Sequence, residues 1–397
     1  MAAGHQGGHA FIVLKGYHMG SKWFSEAFNA LPGGAFYFEF EHCLRALGRA
    51  SDPSSSSAPP IAPPAVTLQY LRSGCGCTDN CTACQNINVT VPPPLSPPQR
   101  CLATGVSFGA LGGPYVSHVR AVRELDPRVS IVAHVRTNHL KHALSFLRTT
   151  CDGEANHLFL KPPSPKGSSA SSHDHHGHSH RHSRRRLSTS SGVGSARHAA
   201  RLHVPPPLLL LRAVHAAQEQ QRILSTAHGL APKGEQAQHV LVYETMQLDL
   251  AGSLKALLVA LGVPAHAAVV ATRQAGASGG GGGEGTSSGG GGAGGGGGGG
   301  GGGASGGVDA EQMVKAGAES LADGLANYAE VESYLRPYPC LLGMLRASGP
   351  VAFGLDACQE EMTTGLSEAV RAEMAAVKAA RPKGWALNAS ECEGQKR

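Results

Sequence analysis

The chain alternates between short unbroken apolar runs and stretches in which apolar residues recur every three or four positions. The first run, Ala10 to Leu14, has the length and β-branched character of a buried strand. Trp23, Phe24, Ala27, Phe28 and Leu31 then fall on one face of a helix. Between the two lies a loop carrying Lys15, Gly16, His18, Gly20, Ser21 and Lys22. The aromatic run Ala35 to His42 predicts a second strand, in which plain alternation would turn Phe38 and Phe40 to the core and Glu39 and Glu41 to solvent. Val129 to Val135 predicts a buried strand ending in Arg136, followed by a helix from His139 to Arg148 for which Asn138 supplies a cap. His118 to Leu125 and Leu208 to Ala227 are helical, with Asp126-Pro127 as a turn. His239 to Thr245 reads as another buried strand, and Leu248 to Leu261 as an amphipathic helix closed by Gly262-Val-Pro264. Val308 to Leu335 and Met362 to Ala379 are helical by their periodicity. Strands alternating with helices in this way predict an α/β domain.

Low-complexity runs fall between these elements. At 397 residues the chain has room for two domains, but 54 Gly and 25 Pro are concentrated in a few segments, and removing them leaves one α/β core. The organisation is therefore one domain over 8–346, interrupted by a Cys/Pro-rich insertion at 51–104, a His/Arg/Ser-rich one at 161–200 and a Gly-rich one at 275–307, with a helical or flexible tail at 347–397. The net charge of +6 suits an anionic ligand, yet part of it comes from Arg181 to Arg186. With aromatics at only 5%, no nucleic-acid surface is read from it.

Ten cysteines and three Asn-x-Ser/Thr sequons, at Asn80, Asn88 and Asn388, favour an oxidising, glycosylating compartment such as the Golgi lumen or secretory pathway, with the cytoplasm as the alternative. No apolar run is long enough to span a bilayer and no signal peptide is visible, so the expected membrane connection is an anchor outside this chain. Cys75 to Cys84 holds four cysteines that suit either a zinc knot or a disulfide-stapled loop; the lack of a second Cys or His pair at finger-like spacing favours the disulfides. The tract His173 to His182 has no apolar anchor to fix metal ligands and reads as a surface insertion.

A strand, a glycine-containing loop and a helix N-terminus together make an anion cradle, because unpaired N–H groups and the helix dipole face the ligand. Arg136, beyond the carboxyl end of a buried strand, stands where such a ligand would meet it. Four blocks in order then resemble the PAPS-dependent sulfotransferases (PAPS is 3′-phosphoadenosine 5′-phosphosulfate). Phe11 to Leu31, with Gly20-Ser21-Lys22-Trp23, resembles the 5′-phosphosulfate loop, and Val129 to Ser145 resembles the 3′-phosphate strand and helix. Val240-Leu-Val-Tyr-Glu-Thr245 with Leu261-Gly-Val-Pro264, and Glu319 to Val331, are similar to two later blocks of the family. His18 and Lys22 depart from the family pattern, which has Lys or Arg at the first position and a hydroxyl residue at the second.

The resemblance implies a P-loop-like three-layer α/β/α fold with a central, mainly parallel sheet. It implies PAPS as sulfuryl donor, no metal, and in-line transfer to an acceptor hydroxyl, by default that of a carbohydrate. The nearest branch resembles trehalose and carbohydrate sulfotransferases, whose catalytic Glu maps onto Glu39, with Glu41 and His42 as substitutes. Lys22, Lys15 or His18 would supply the cation at the leaving phosphate. Lys15, Gly16, Gly20, Ser21, Lys22 and Trp23 would line the 5′ side, and Arg136 with Ser145 would hold the 3′-phosphate. Three other readings compete. A P-loop kinase or hydrolase lacks the Walker spacing here and an Asp at the end of a buried strand. A non-catalytic glycan-binding protein on the same fold is the second. A metal-binding structural protein built on the Cys and His tracts leaves the four blocks unexplained.

Overall fold

Five parallel strands form one sheet in the order β2-β3-β1-β4-β5. They are β1 (His9–Lys15), β2 (Gly34–Tyr37), β3 (Ala103–Phe108), β4 (Ser130–Val135) and β5 (His239–Val242). The computed structural model describes residues 8–17, 19–51, 61–73, 101–109, 114–151, 201–231, 239–277, 320–381, 386–387 and 389–392. His18, Cys75 to Cys84, the sequons and the His and Gly tracts lie outside these residues. The chain steps from β1 past one position to β2, returns to fill the gap with β3, and then crosses β1 to β4. That reversal makes β1 the switch point, where doubly wound sheets open a crevice beyond their carboxyl ends.

Helices cover both faces, as the α/β/α expectation requires. Ile12 and Leu14 of β1 pack with α2 (Phe40–Ser51), α3 (Pro64–Ser73), α4 (Pro114–Leu125) and the later turns of α6 (Pro206–Leu230). Phe11 and Val13 face the other way, onto α1 (Ser21–Asn29), α8 (Leu250–Ala260) and α9 (Ala265–Ala277). This face is aromatic: Phe24 meets Phe36 edge-on at 5.0 Å and Phe11 meets Phe28 at 5.2 Å. A third cluster joins α5 (His139–Cys151) and the start of α6 to α10 (Leu321–Gly324), α11 (Tyr328–Leu335), α12 (Pro339–Arg346) and α13 (Glu368–Ala379). Disulfides Cys340–Cys358 and Cys151–Cys392 hold the segment beyond 346 to this cluster, the second through the short α14 (Ala389–Cys392). Cys43 and Cys101 are disulfide-bonded as well.

Four elements differ from the expected ones. The aromatic run is a strand only to Tyr37; Glu39 takes a positive φ of 51° and α2 begins at Phe40, so Glu41 is buried rather than solvent-facing. The later run is a strand only to Val242, and Tyr243 opens the short helix α7 (Tyr243–Leu248). Leu325 is extended and bridges Leu202, which interrupts the expected helix before α11. Leu366 is extended too, and it separates a π-turn at Glu361–Gly365 from α13. The stretch read as a 51–104 insertion carries α3, whose Leu68, Tyr70 and Leu71 are in the core.

Candidate functional site

The carboxyl edge of β1 ends in Lys15, whose side chain is 3% exposed. Burying an ammonium is costly without a partner, and Lys15 Nζ has Glu39 Oε1 at 3.4 Å and the Phe38 ring at 4.6 Å. Glu39 is held from two other sides. Its backbone N–H donates to Ser107 Oγ at 2.9 Å, and His42 Nε2 lies 3.6 Å from its second oxygen. Its side chain remains 38% exposed, open to an incoming group.

Glu41 is the contrasting carboxylate. One oxygen accepts the Gly109 N–H at 2.9 Å, while the other is buried without a hydrogen-bond partner. Burial pushes its pKa up, and Lys15 works against that rise. A third acid, Glu219 of α6, accepts the Tyr17 N–H at 3.4 Å and is also pushed up by burial. The Tyr17 phenol is raised first by burial and then by Glu41, Glu219 and Glu39. The carboxyl edge of β1 is therefore acidic around one lysine, an arrangement suited to receiving a proton.

A second group of the expected residues is built around Tyr243. Gly20 stands at φ 74° at the start of α1, and a β-carbon there would run into the Tyr243 ring. Its carbonyl accepts the Phe24 N–H at 3.1 Å, and α1 has no side-chain cap and no acidic residue in its first turn. Ser21 is buried and Lys22 exposed in that turn. Trp23 meets the Tyr243 ring edge-on at 6.1 Å, and the Arg136 guanidinium lies 4.9 Å above the same ring.

Arg136 is fixed by Glu244, which the sequence reading left without a role. The Glu244 carboxylate accepts from Arg136 Nε at 3.3 Å, Thr137 N at 2.9 Å, Thr137 Oγ1 at 3.2 Å and Asn138 N at 3.3 Å. Asn138 Oδ1 in turn accepts the Lys141 N–H at 2.9 Å, the cap expected for α5. The Phe353 N–H donates to Thr137 Oγ1 at 3.0 Å, which brings the disulfide-held 340–358 loop against this turn. Ser145 is half-buried on the second turn of α5.

Two groups thus form among the expected residues: Lys15 with Glu39, and Gly20, Trp23 and Arg136 around Tyr243. Glu41, Glu219, Tyr243 and Glu244 complete them. Of these four, Glu41 and Glu244 carry a sequence signal as acids inside apolar runs, Tyr243 only as part of the Val240–Thr245 block, and Glu219 none. Among the described residues, Cys340, Cys358 and Glu361 are brought together at metal-ligand spacing, but the cysteines form a disulfide and Glu361 accepts the N–H groups of Cys340 and Leu341. No protein-family model, curated protein or solved structure matches the chain.

Proposed function

We propose that the protein is a PAPS-dependent sulfotransferase acting on a hydroxyl acceptor, by default that of a carbohydrate. The observation that carries the reading is the partly exposed Glu39 held against buried Lys15, at the carboxyl end of the switch-point strand and beside a glycine loop opening an uncapped helix. Sulfuryl transfer needs a base for the acceptor proton and fixed donors for charge on the departing phosphate.

Glu39 fits the first task. Lys15, Ser107 and the backbone turn at Glu39 fix where its carboxylate sits. Loop and α1 N–H groups, Ser21 and Lys22 fit the second, on the 5′ side. Lys15 is already engaged by Glu39, so it belongs to the proton-accepting half and the leaving-group cation falls to Lys22. Arg136, positioned by Glu244 and stacked on Tyr243, fits the 3′-phosphate. PAPS, when bound, supplies the activated sulfuryl group.

No helix among the described residues is long and apolar enough to cross a membrane. The disulfides and sequons support a secretory, Golgi-type compartment. The direct test is Glu39→Gln assayed with labelled PAPS against a panel of neutral glycans. Transfer should be abolished, while affinity for 3′,5′-ADP, the departing nucleotide, stays nearly intact. Full turnover in that variant would remove Glu39 as the base.

A further inference from the structure

A cavity of about 200 Å³ lies between α6 and the 355–363 segment, apart from the groups described above. Val214, Leu355 and Met362 give it an apolar wall, and Gln221, Gln359 and Thr363 stand at its polar side. His139 and Gln220 also line it, and both are almost wholly buried, at 2% and 1% exposure. Each keeps a buried polar atom without a hydrogen-bond partner, Nδ1 in His139 and Oε1 in Gln220. Gln220 itself is fixed, because its Nε2 donates to the Leu355 carbonyl at 2.6 Å. Those two atoms lie beneath the cavity surface, and its polar lining is completed by the amides of Gln218, Gln221 and Gln359 and the Thr363 hydroxyl, groups that suit a partner bringing hydroxyls.

The chemistry of the lining narrows the class. None of the lining residues carries a carboxylate, ammonium or guanidinium, and burial lowers the His139 pKa to about 4, so its ring is neutral at physiological pH. A charged ligand would lose its hydration with no counter-charge to replace it. The volume is below the roughly 300–1,000 Å³ of clefts that take drug-sized ligands, which limits the occupant to a single ring. Amide and imidazole groups above an apolar wall match a ring with hydroxyls on its edge and C–H groups on its face.

We infer that this cavity is a binding site for a neutral, polyhydroxylated ring of monosaccharide size. Its place in the fold links it to the catalytic crevice. His139 directly follows the Arg136–Asn138 turn, and Gln220 follows Glu219, the acceptor of the Tyr17 N–H. A role in holding a non-reacting unit of the acceptor rests on the sulfuryl-transfer reading; the binding site itself does not.

The test is calorimetry on the full chain with D-glucose, myo-inositol and D-glucuronate. Parallel titrations use Ala217→Leu, Val214→Phe and Gln220→Leu, with 3′,5′-ADP as a second ligand throughout. Saturable binding of a neutral ring is expected, with glucuronate weaker by roughly tenfold or more. Either cavity-filling variant should abolish it, and Gln220→Leu, which releases the Leu355 carbonyl at the cavity wall, should weaken it by roughly tenfold. Absence of saturable binding by both neutral rings, or binding unaltered in the variants that still melt cooperatively, would overturn the proposal. Neutral-ring binding that survives a failure to bind 3′,5′-ADP would keep the site and remove the sulfotransferase reading.

Discussion

Lys15 and its neighbouring acids show how single residues divide the labour of the crevice. Glu39 and Glu41 are two positions apart, yet the turn at Glu39 leaves one carboxylate open to solvent and sends the other under Gly109. Desolvation acts on Glu41, whose pKa it raises, while Glu39 stays open to solvent, as the role of base proposed for it requires. Away from the crevice, Asp126 ties the α4–β4 turn together. Hydrogen bonds from Arg128, at 2.9 and 3.0 Å, and from Arg72, at 3.1 Å, hold its pKa down at about 2 against burial. Because the folded pKa lies below the unfolded one, this contribution is present above about pH 4 and is lost as pH falls through 2. Both arginines are largely exposed, which reduces its size. Asp126→Asn should therefore cost about 1–2 kcal/mol at pH 7. In denaturant melts that deficit should close at about pH 2; an equal deficit at both pH values would contradict the linkage.

Among the elements, β1, α1, β4 and α5 were legible because a β-branched run and a helical face are separated there by glycine or a capping Asn. Two strands were overextended, after Tyr37 and after Val242, for different reasons. Phe36, Phe38 and Phe40 alternate like a strand, while Phe40, Cys43 and Leu44 already carry the buried face of α2, so both periods fit the same few residues. At Tyr243-Glu244 the strand ends early and Glu244 turns inward to receive N–H groups from the β4 turn, a partner more than a hundred positions away in the chain. No local pattern carries that information. It makes Glu244 the element-scale test. Glu244→Gln removes the charge that holds Arg136 and two backbone N–H groups, and should cost about 3 kcal/mol of stability, as for a broken buried ion pair. It should also weaken 3′,5′-ADP binding, because Arg136 loses its orientation. A variant with unchanged melting and unchanged affinity would contradict the role given to this turn.

At the scale of the molecule, the order of apolar runs and helical faces predicted an α/β domain, and the parallel sheet between two helical layers was implied by the resemblance; β3, which begins inside the stretch read as an insertion, had no expected counterpart. The third cluster was legible only as separate helical faces, because their partners are set by Cys151–Cys392, Cys340–Cys358 and long-range packing. Several histidines lie inside the folded domain. Burial lowers His134 to about 3 and His118, His139 and His215 to about 4, so they are neutral when folded and take up protons on unfolding once the pH drops below about 6.5. Stability should fall steadily from pH 7 toward pH 4, and His134→Phe, which fills a site beside Phe24, should flatten part of that slope. A melting temperature constant across that range would contradict it.

The central claim concerns the ligand of the glycine loop and Arg136. Isothermal titration of the full chain with 3′,5′-ADP, ADP and ATP, run in parallel with and without magnesium, tests it most directly. Selective, magnesium-independent binding of 3′,5′-ADP is the predicted result. Equal or tighter binding of ATP, dependent on magnesium, would contradict the sulfotransferase account.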